Sequence, residues 1–248
     1  MDTAQPAATA PDPQNGRLSW FTRISYGLGD TAMNIVAGAM TILTFFYTDY
    51  AGVEPTTVGL VFLLSRIFDG VSDLIMGFVV ERTNSKWGKS RPWILWSSIP
   101  FCISIVLIYT VPQGSDFMKF VYLFITYNFC NTVCYTALNL PYGSLSAMMT
   151  RISRERDMLS ITRMALSPIG KIISISATLP LIKVLGDNQA AWIKVMSIWA
   201  VLAFVLLMLC FSQCKETVVI KARKKVSKVP VVKSLKCLFG NKYFWMAM

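Results

Sequence analysis

Long apolar runs, separated by short polar segments, dominate the chain. Each run approaches the ~20 residues that an α-helix needs to cross the hydrocarbon core of a bilayer. The pattern therefore predicts an all-α membrane protein in which residues 21–213 form a six-helix bundle. We place the six spans at about 24–48, 57–80, 92–111, 117–140, 162–183 and 191–213.

Three further segments flank this bundle. Residues 1–20 are rich in Ala, Pro, Asp and Gln and lack an apolar run, which is typical of a disordered lead and not of a signal peptide. Residues 214–236 contain many Lys and Arg and predict a basic linker. A new apolar stretch occupies residues 237–248, so we expect the start of a seventh span there.

Composition agrees with a membrane protein. The chain is 54% hydrophobic and only 15% charged, whereas a soluble domain has about 25% charged residues. Its formal net charge is +11, which in a soluble protein would suggest a nucleic-acid partner. The positions of the basic residues decide against that partner.

Most of the 24 Lys and Arg residues fall on one side of the predicted membrane, in the amino-terminal segment, in 81–91, in 149–163 and after 213. The opposite side has only Lys119, Lys183 and Lys194. Because cytoplasmic loops carry an excess of basic residues, this pattern predicts a cytoplasmic amino terminus. The basic tail should contact anionic lipid headgroups, and no nucleic-acid partner is expected.

Six cysteines and no histidine are present. Cys130 and Cys134 lie one helical turn apart, but the cysteine spacings fit neither a zinc site nor a disulfide framework. We therefore expect small buried side chains at these positions.

Two carboxylates interrupt the second apolar run. Asp69 and Asp73 lie ~40° apart around an α-helix, and Arg66 falls within ~60° of both. An ionised side chain at the bilayer centre costs roughly 2.5–3.5 kcal/mol, so this stripe must face a protein interior or a water-filled cavity. An ion pair with Arg66 would explain one carboxylate and leave the other unpaired. The pair therefore predicts a cation site.

Amide and hydroxyl side chains recur along the fourth run. Three- and four-residue spacings place four of them on one face of an α-helix. Neutral hydrogen-bonding groups of this kind suit a hydroxyl-rich ligand. We expect residues 141–143, which include a proline and a glycine, to interrupt the helix near the site. The stripe consists of Asn128, Asn131, Tyr135 and Asn139.

Polar residues also occur in the first and fifth runs. Asp30 and Asn34 lie one turn apart in the first span, where both a structural role and a role in a binding site remain open. Arg163 lies at the start of the predicted fifth span. It is either an interfacial side chain or a ligand contact.

The segment between the second and third spans is basic and compact. Trp87 and Trp93 suit a membrane interface, and the positive-inside rule explains the charge of the segment. The tight sequence WGKSRPW at 87–93 further predicts a latch at one end of the bundle. The candidate gating residues are Glu81, Arg82, Lys89 and Arg91.

Five segments together resemble the glycoside–pentoside–hexuronide:cation symporters, the family of melibiose permease within the major facilitator superfamily. The resemblance runs from about residue 24 to the end of the chain. Its most specific part is the pair of aspartates followed by the Trp-Gly-Lys loop. The segments are YGLGD at 26–30, FYTD at 46–49, RIFDGVSD at 66–73, WGKSRPW at 87–93 and NLPYGS at 139–144.

This resemblance implies a site for a coupling cation, sodium or a proton, on the second span. In the family the two carboxylates of this motif bind the cation, and no other cofactor is expected. The matching residues are Asp69, Asp73, Ser72 and Thr136.

The resemblance also implies a sugar site formed by spans one, four and five. Melibiose permease has acidic residues at the positions of Asn34 and Asn139, so the amides of this chain leave a glycoside, a pentoside or a hexuronide open. Arg163 suits a carboxylate-bearing sugar. The candidate substrate-binding residues are Asn34, Asn139, Arg163, Tyr135 and Asp30.

The predicted function is symport of a sugar with a monovalent cation across the cytoplasmic membrane, and not an enzymatic reaction. Family members have twelve spans, so we expect a carboxy-terminal half as a partner or as part of a longer product. Two alternatives remain. One is a sodium-coupled lysolipid carrier, which the polar fourth span disfavours. The other is a non-transporting membrane module built on half of the fold.

Overall fold

The computed structural model describes residues 17–83 and 85–217. These residues are helical, and the only β-type pairing among them is an isolated bridge between Ser85 and Gly88. The predicted seventh span, and most of the predicted lead and basic linker, lie outside the described residues. Those expectations stay predictions.

Six helical rods make up the described part of the chain. Two of the rods are composite, because a π-helical segment continues an α-helix. We call residues 116–149 the fourth rod. The bounds are α1 Trp20–Thr41 and α2 Leu43–Phe45, followed by a π-helix at Phe46–Tyr50; α3 Pro55–Arg82; α4 Arg91–Ile108; α5 Asp116–Asn128, a π-helix at Phe129–Tyr135 and α6 Thr136–Met149; α7 Ser153–Val184; and α8 Gln189–Gln213.

Four rods in the described part are long and apolar enough to cross a membrane: Trp20–Tyr50, Arg91–Ile108, Ser153–Val184 and Gln189–Gln213. The other two, α3 and the fourth rod, contain the polar side chains of the candidate cation site. Many large exposed side chains on the rods are apolar, as at Ile67. Such surfaces suit contact with lipid tails.

Helix α1 packs closely against α7. A Cβ atom added at Gly170 of α7 would lie 2.6 Å from Cγ2 of Thr31, and one added at Gly38 of α1 would lie 2.9 Å from the carbonyl oxygen of Lys171. Small residues allow helix backbones to approach in a membrane, where packing rather than water exclusion drives association. This contact fixes the position of α7 beside α1.

The fifth helix starts earlier than predicted. We expected a start near residue 162, but α7 begins at Ser153. Its charged first turns are held by α1, because Arg23 Nη2 lies 2.7 Å from Oε2 of the buried Glu155 and the backbone N–H of Leu18 donates to the same oxygen at 3.2 Å. Arg163 therefore lies well inside α7 and not at its start.

The expected interruption at residues 141–143 is wrong, because α6 continues through Pro141. Proline has no N–H and leaves the carbonyl four residues earlier without its helical partner. Here that carbonyl belongs to Ala137, and Ser97 Oγ of α4 donates to it at 3.3 Å. An interhelical hydrogen bond thus replaces the missing backbone bond.

The π-helix at Phe129–Tyr135 divides the predicted polar stripe. Its wider turn rotates the residues that follow relative to an α-helical register. As a result Asn128 bonds to α3, whereas Tyr135 lines a cavity beside α1. Asn131 does both, since it bonds to Asp69 of α3 and lines the same cavity, and a shared face for the whole stripe stays a prediction.

Candidate functional site

Helix α3 and the fourth rod are joined by a ladder of side-chain hydrogen bonds. Asn128 donates to Ser65 Oγ at 2.8 Å, and one turn further Thr132 donates to Asp69 Oδ1 at 2.5 Å. One more turn on, Thr136 Oγ1 donates to Oδ1 of the next aspartate at 3.2 Å. Each bond joins residues 63 positions apart, so the two rods run in the same direction with matched faces.

Asp69 is the most fully bonded carboxylate of this ladder. Besides the Thr132 hydroxyl, the amide Nδ2 of Asn131 lies 3.1 Å from both of its oxygens. Arg66 is exposed and has no carboxylate within 4.0 Å among the described residues, whose ion pairs are Arg23–Glu155 and Arg163–Asp30. The alternative of an ion pair between Arg66 and an aspartate is therefore wrong.

Asp73 is exposed, and its carboxylate accepts a hydrogen bond from the Thr136 hydroxyl. Ser72 turns toward the fourth rod, where its Oγ donates to the carbonyl oxygen of Thr132 at 2.5 Å. The described residues contain no cluster of three or more His, Cys, Asp or Glu side chains that would hold a metal centre. Two carboxylates surrounded by hydroxyl oxygens provide hard ligands, which suit a small monovalent cation or a proton.

A second polar cluster joins α1, α6 and α7. Arg163 Nε lies 3.3 Å from Oδ2 of the buried Asp30, and Asn34 Nδ2 lies 3.4 Å from the same oxygen and 3.0 Å from the Asp30 carbonyl. The Arg163 guanidinium also lies over the ring of Tyr142, 5.4 Å from its centroid. Such a cation–π contact suits a partly exposed arginine.

Asn139 is half-buried and makes no hydrogen bond with the described residues. It lies three residues before Tyr142 on α6, so it shares a helix face with the ring that Arg163 covers. Tyr135, one turn earlier, lies within electrostatic range of Asp30, Arg163 and Asp73. Tyr135 therefore lies near charged groups of both the carboxylate pair and the second cluster.

A cavity of about 290 Å³ opens between α1, α4 and the fourth rod. Its volume is at the lower end of the range for small-molecule sites. Its polar lining comes from hydroxyl and amide groups, which can bond to a hydroxylated ligand. The lining residues with polar side chains are Thr41, Tyr127, Asn131 and Tyr135.

The loop before α4 is held by Glu216, a residue that the sequence did not single out. Its carboxylate accepts hydrogen bonds from the backbone N–H groups of Lys89 at 2.9 Å, Ser90 at 2.7 Å and Arg91 at 2.9 Å. The first N–H groups of a helix lack internal partners and favour a negative charge. Glu216 therefore ties the segment after α8 to the start of α4.

The predicted gating residues occupy different environments. Arg91 Nη2 donates to the carbonyl of Phe211 at 2.6 Å, and its guanidinium lies over the Phe211 ring. Among the described residues, Lys89 Nζ donates to the backbone carbonyl of Glu81, at 3.5 Å. The side chains of Glu81 and Arg82 are exposed, and neither forms an ion pair within the described residues. Their gating role stays a prediction.

Asn131 and Thr132 were not predicted as cation-site residues, although a signal for Thr132 exists. The polar positions 65, 69 and 73 of α3 repeat every four residues, as do 128, 132 and 136 of the fourth rod. Two matched repeats on neighbouring helices indicate a shared seam. Asn131 lies outside that repeat, within the π-helical segment, so the four-residue spacing does not indicate it.

Several known proteins have sequences similar to this chain. The MFS/sugar transport protein family matches residues 25–248. The isoprimeverose transporter of Lactiplantibacillus pentosus is 35% identical over 93% of this chain and 51% of its own length. The putative glycoside/cation symporter YagG of Escherichia coli (strain K12) is 36% identical over 91% of this chain and 49% of its own length.

The inner membrane symporter YicJ of the same strain is 38% identical over 81% of this chain and 44% of its own length. The chain thus spans about half the length of the curated relatives it matches. These relatives are transporters and not enzymes. With its several apolar helices and its match to the family over most of its length, the chain is a multi-pass membrane protein that belongs to the MFS/sugar transport protein family.

Proposed function

We propose that the full-length protein carries a sugar or glycoside across the cytoplasmic membrane by symport with sodium or a proton. The observation that carries this proposal is the environment of Asp69 and Asp73. Both carboxylates accept hydrogen bonds from the fourth rod, and neither has a basic side chain within 4.0 Å among the described residues. Two negative charges one turn apart on a membrane-spanning rod require a cation or proton for neutralisation.

For the substrate we favour a neutral glycoside over a hexuronide. Arg163, the basic side chain of the proposed sugar site, is already paired with Asp30. Its charge is therefore compensated before any substrate binds. Asn34, Asn139 and Tyr135 then offer neutral groups for sugar hydroxyls. The names of the isoprimeverose transporter and the glycoside/cation symporter point to the same class.

We further propose six spans with a cytoplasmic amino terminus, since most basic residues of the sequence fall in the amino-terminal segment, in 81–91, in 149–163 and after 213, which the predicted spans put on one side. The membrane is then the cell membrane, with lipids around the rods. A carboxy-terminal half would cover the substrate site, because major facilitators bind substrate between two halves near the midplane. Rocking of the halves would expose the site to either side, with residues 81–91 acting as the latch.

The experiment measures uptake into vesicles that contain the full-length protein. Labelled isoprimeverose, a pentoside and a glucuronide are tested with and without a sodium gradient, and with and without a proton gradient. The variants are Asp69→Asn and, as a matched control, Asp116→Asn, which makes the same change at an exposed position at the start of α5.

Gradient-dependent uptake that disappears in Asp69→Asn and survives in Asp116→Asn would support the proposal and identify the cation. Uptake that persists unchanged in Asp69→Asn would remove the cation site from α3. A folded, inserted protein that takes up none of the sugars would refute sugar symport.

A further inference from the structure

One amide side chain lies between the carboxylate pair and the cavity. Asn131 Nδ2 is 3.1 Å from both oxygens of Asp69, and the same residue lines the cavity between α1 and the fourth rod. The other groups that bond to the pair, Thr132 and Thr136, do not line this cavity. Within the described residues, Asn131 is thus the side chain that directly links the carboxylate pair to the cavity.

The two ends of an amide have opposite hydrogen-bonding character. Its nitrogen only donates, and its oxygen only accepts. The ionised carboxylate of Asp69 accepts only, so it fixes the Asn131 nitrogen toward α3. The Asn131 Oδ1 accepts no hydrogen bond from the described residues and remains available as an acceptor.

A cation bound at Asp69 reverses the preferred orientation of the Asn131 amide. An N–H group directed at a cation is repelled, whereas an amide oxygen is a favourable ligand for a hard cation. Rotation of the Asn131 amide by half a turn brings its oxygen to the cation. The same rotation moves the NH₂ group away from Asp69 and changes the hydrogen-bonding character of the cavity wall.

We propose that Asn131 is the positioning residue that couples the cation site to the sugar site. Cation binding rotates its amide, and the rotated amide favours a sugar that reaches into the cavity beside Tyr135, the residue that the cavity shares with the proposed sugar site. This inference rests on the proposed symport function. It provides a physical basis for reciprocal coupling, in which each ligand raises the affinity for the other by the same factor.

The neighbouring amide Asn128 provides a matched control. Asn128 lies on the same rod, but its amide nitrogen bonds to Ser65 and to the Phe124 carbonyl, and its oxygen lies 3.2 Å from the Thr132 hydroxyl, which is closer to Asp69, at 2.5 Å. It contacts neither carboxylate and does not line the cavity. Loss of an amide at this position should affect packing between α3 and the fourth rod without affecting communication between the two sites.

The experiment determines a coupling ratio in the full-length protein. This ratio is the half-saturating concentration of isoprimeverose for counterflow without the coupling cation, divided by that with the cation. If the wild type does not take up isoprimeverose, the panel sugar that it does transport replaces it. The variants are Asn131→Leu, which has a similar volume, Asn131→Ala, and the control Asn128→Leu.

We expect a wild-type ratio of at least about fivefold, within the usual range for coupled sites. Both Asn131 variants should bring the ratio to about one, while Asn128→Leu retains the wild-type value. A purely structural role would weaken sugar binding equally with and without cation, so an unchanged ratio in a folded Asn131 variant overturns this inference. If the Asn131→Leu protein does not insert into the membrane, the coupling ratio of Asn131→Ala decides whether the inference holds.

The two proposals fail in different ways. A wild type without cation-dependent uptake of any sugar refutes symport itself, and with it the coupling role. A coupled wild type with fully coupled Asn131 variants refutes only the role of Asn131.

Discussion

Thr132 donates a hydrogen bond to Asp69, with Oγ1 2.5 Å from Oδ1, and thereby fixes the register between α3 and the fourth rod. The bonds one turn before and one turn after it join residues with the same separation of 63 positions. A carboxylate held in this way stays inside the bundle and does not turn toward lipid. The bond thus relates helix packing directly to the candidate cation site.

Replacement of Thr132 by Val should destabilise the bundle, because it keeps the shape of the side chain but removes the hydroxyl donor. Hydrogen bonds to charged groups contribute about 1.5–3 kcal/mol, so we expect a clear fall in the unfolding temperature in detergent. Thr136→Val should have a smaller effect, since its bond to the exposed Asp73 is longer, at 3.2 Å. Equal unfolding temperatures for Thr132→Val and the wild type would contradict this ranking.

The charge balance of the second cluster should control sugar preference. In Asp30→Asn, Arg163 loses the carboxylate that lies 3.3 Å from its Nε. The uncompensated guanidinium should then favour a sugar with a carboxylate, so the ratio of glucuronide to isoprimeverose uptake should rise several-fold. Asp49→Asn, at an exposed position near the end of the first rod, serves as the control. An unchanged ratio in Asp30→Asn would argue against Arg163 as a substrate contact.

Glu216 should protect the start of α4 from exchange with solvent. In Glu216→Ala, the backbone N–H groups of Lys89, Ser90 and Arg91 lose their acceptor. Loss of about 1.4 kcal/mol of protection corresponds to tenfold faster exchange, which hydrogen–deuterium exchange mass spectrometry of this segment can detect. Glu54→Ala offers a control, because Glu54 is the N-cap residue of α3 and its side chain accepts no hydrogen bond from the N–H groups of that helix. Equal exchange in both variants would show that Glu216 does not anchor the loop.

A methyl group at Gly170 should disrupt the contact between α1 and α7. The added Cβ would lie 2.6 Å from Thr31 Cγ2 and 2.8 Å from its carbonyl oxygen, so the helices must move apart. Overpacking of this kind typically costs about 1–3 kcal/mol. We expect Gly170→Ala to lower the yield of monodisperse protein on size-exclusion chromatography.

The same substitution at Gly143 meets no atom within 4 Å. Gly143→Ala should therefore behave like the wild type in the same assay. If both glycine variants give wild-type yields, close packing at Gly170 does not limit the stability of the bundle.

Several features could be predicted from individual segments of the chain. Apolar runs of bilayer length imply helices, and the cost of a charge in lipid implies that Asp69 faces the protein, where it bonds to the fourth rod. The family assignment follows from the same motifs, because they combine unusual residues at fixed spacing. Each of these inferences needs only the residues within individual segments and no knowledge of how the segments pack.

Other features depend on neighbouring helices and were predicted incorrectly. Pro141 continues α6 because Ser97 of α4 supplies the hydrogen bond that the backbone lacks. The charged turns before Arg163 are helical because α1 holds Glu155. The sequence of one segment does not show which side chains of other helices will contact it. Local rules therefore predicted a helix break at residues 141–143 and a loop before residue 162.

The sequence by itself determined which residues carry charge, which lie in apolar runs, and which share a face of one helix. Only the tertiary structure decided the partners: Asn131 and Thr132 for Asp69, Arg163 for Asp30, and Glu216 for the start of α4. The physical reason is that helical periodicity orders side chains within one rod. The rotation and register of one rod against another depend on packing between residues far apart in the chain, and here also on a π-helical turn.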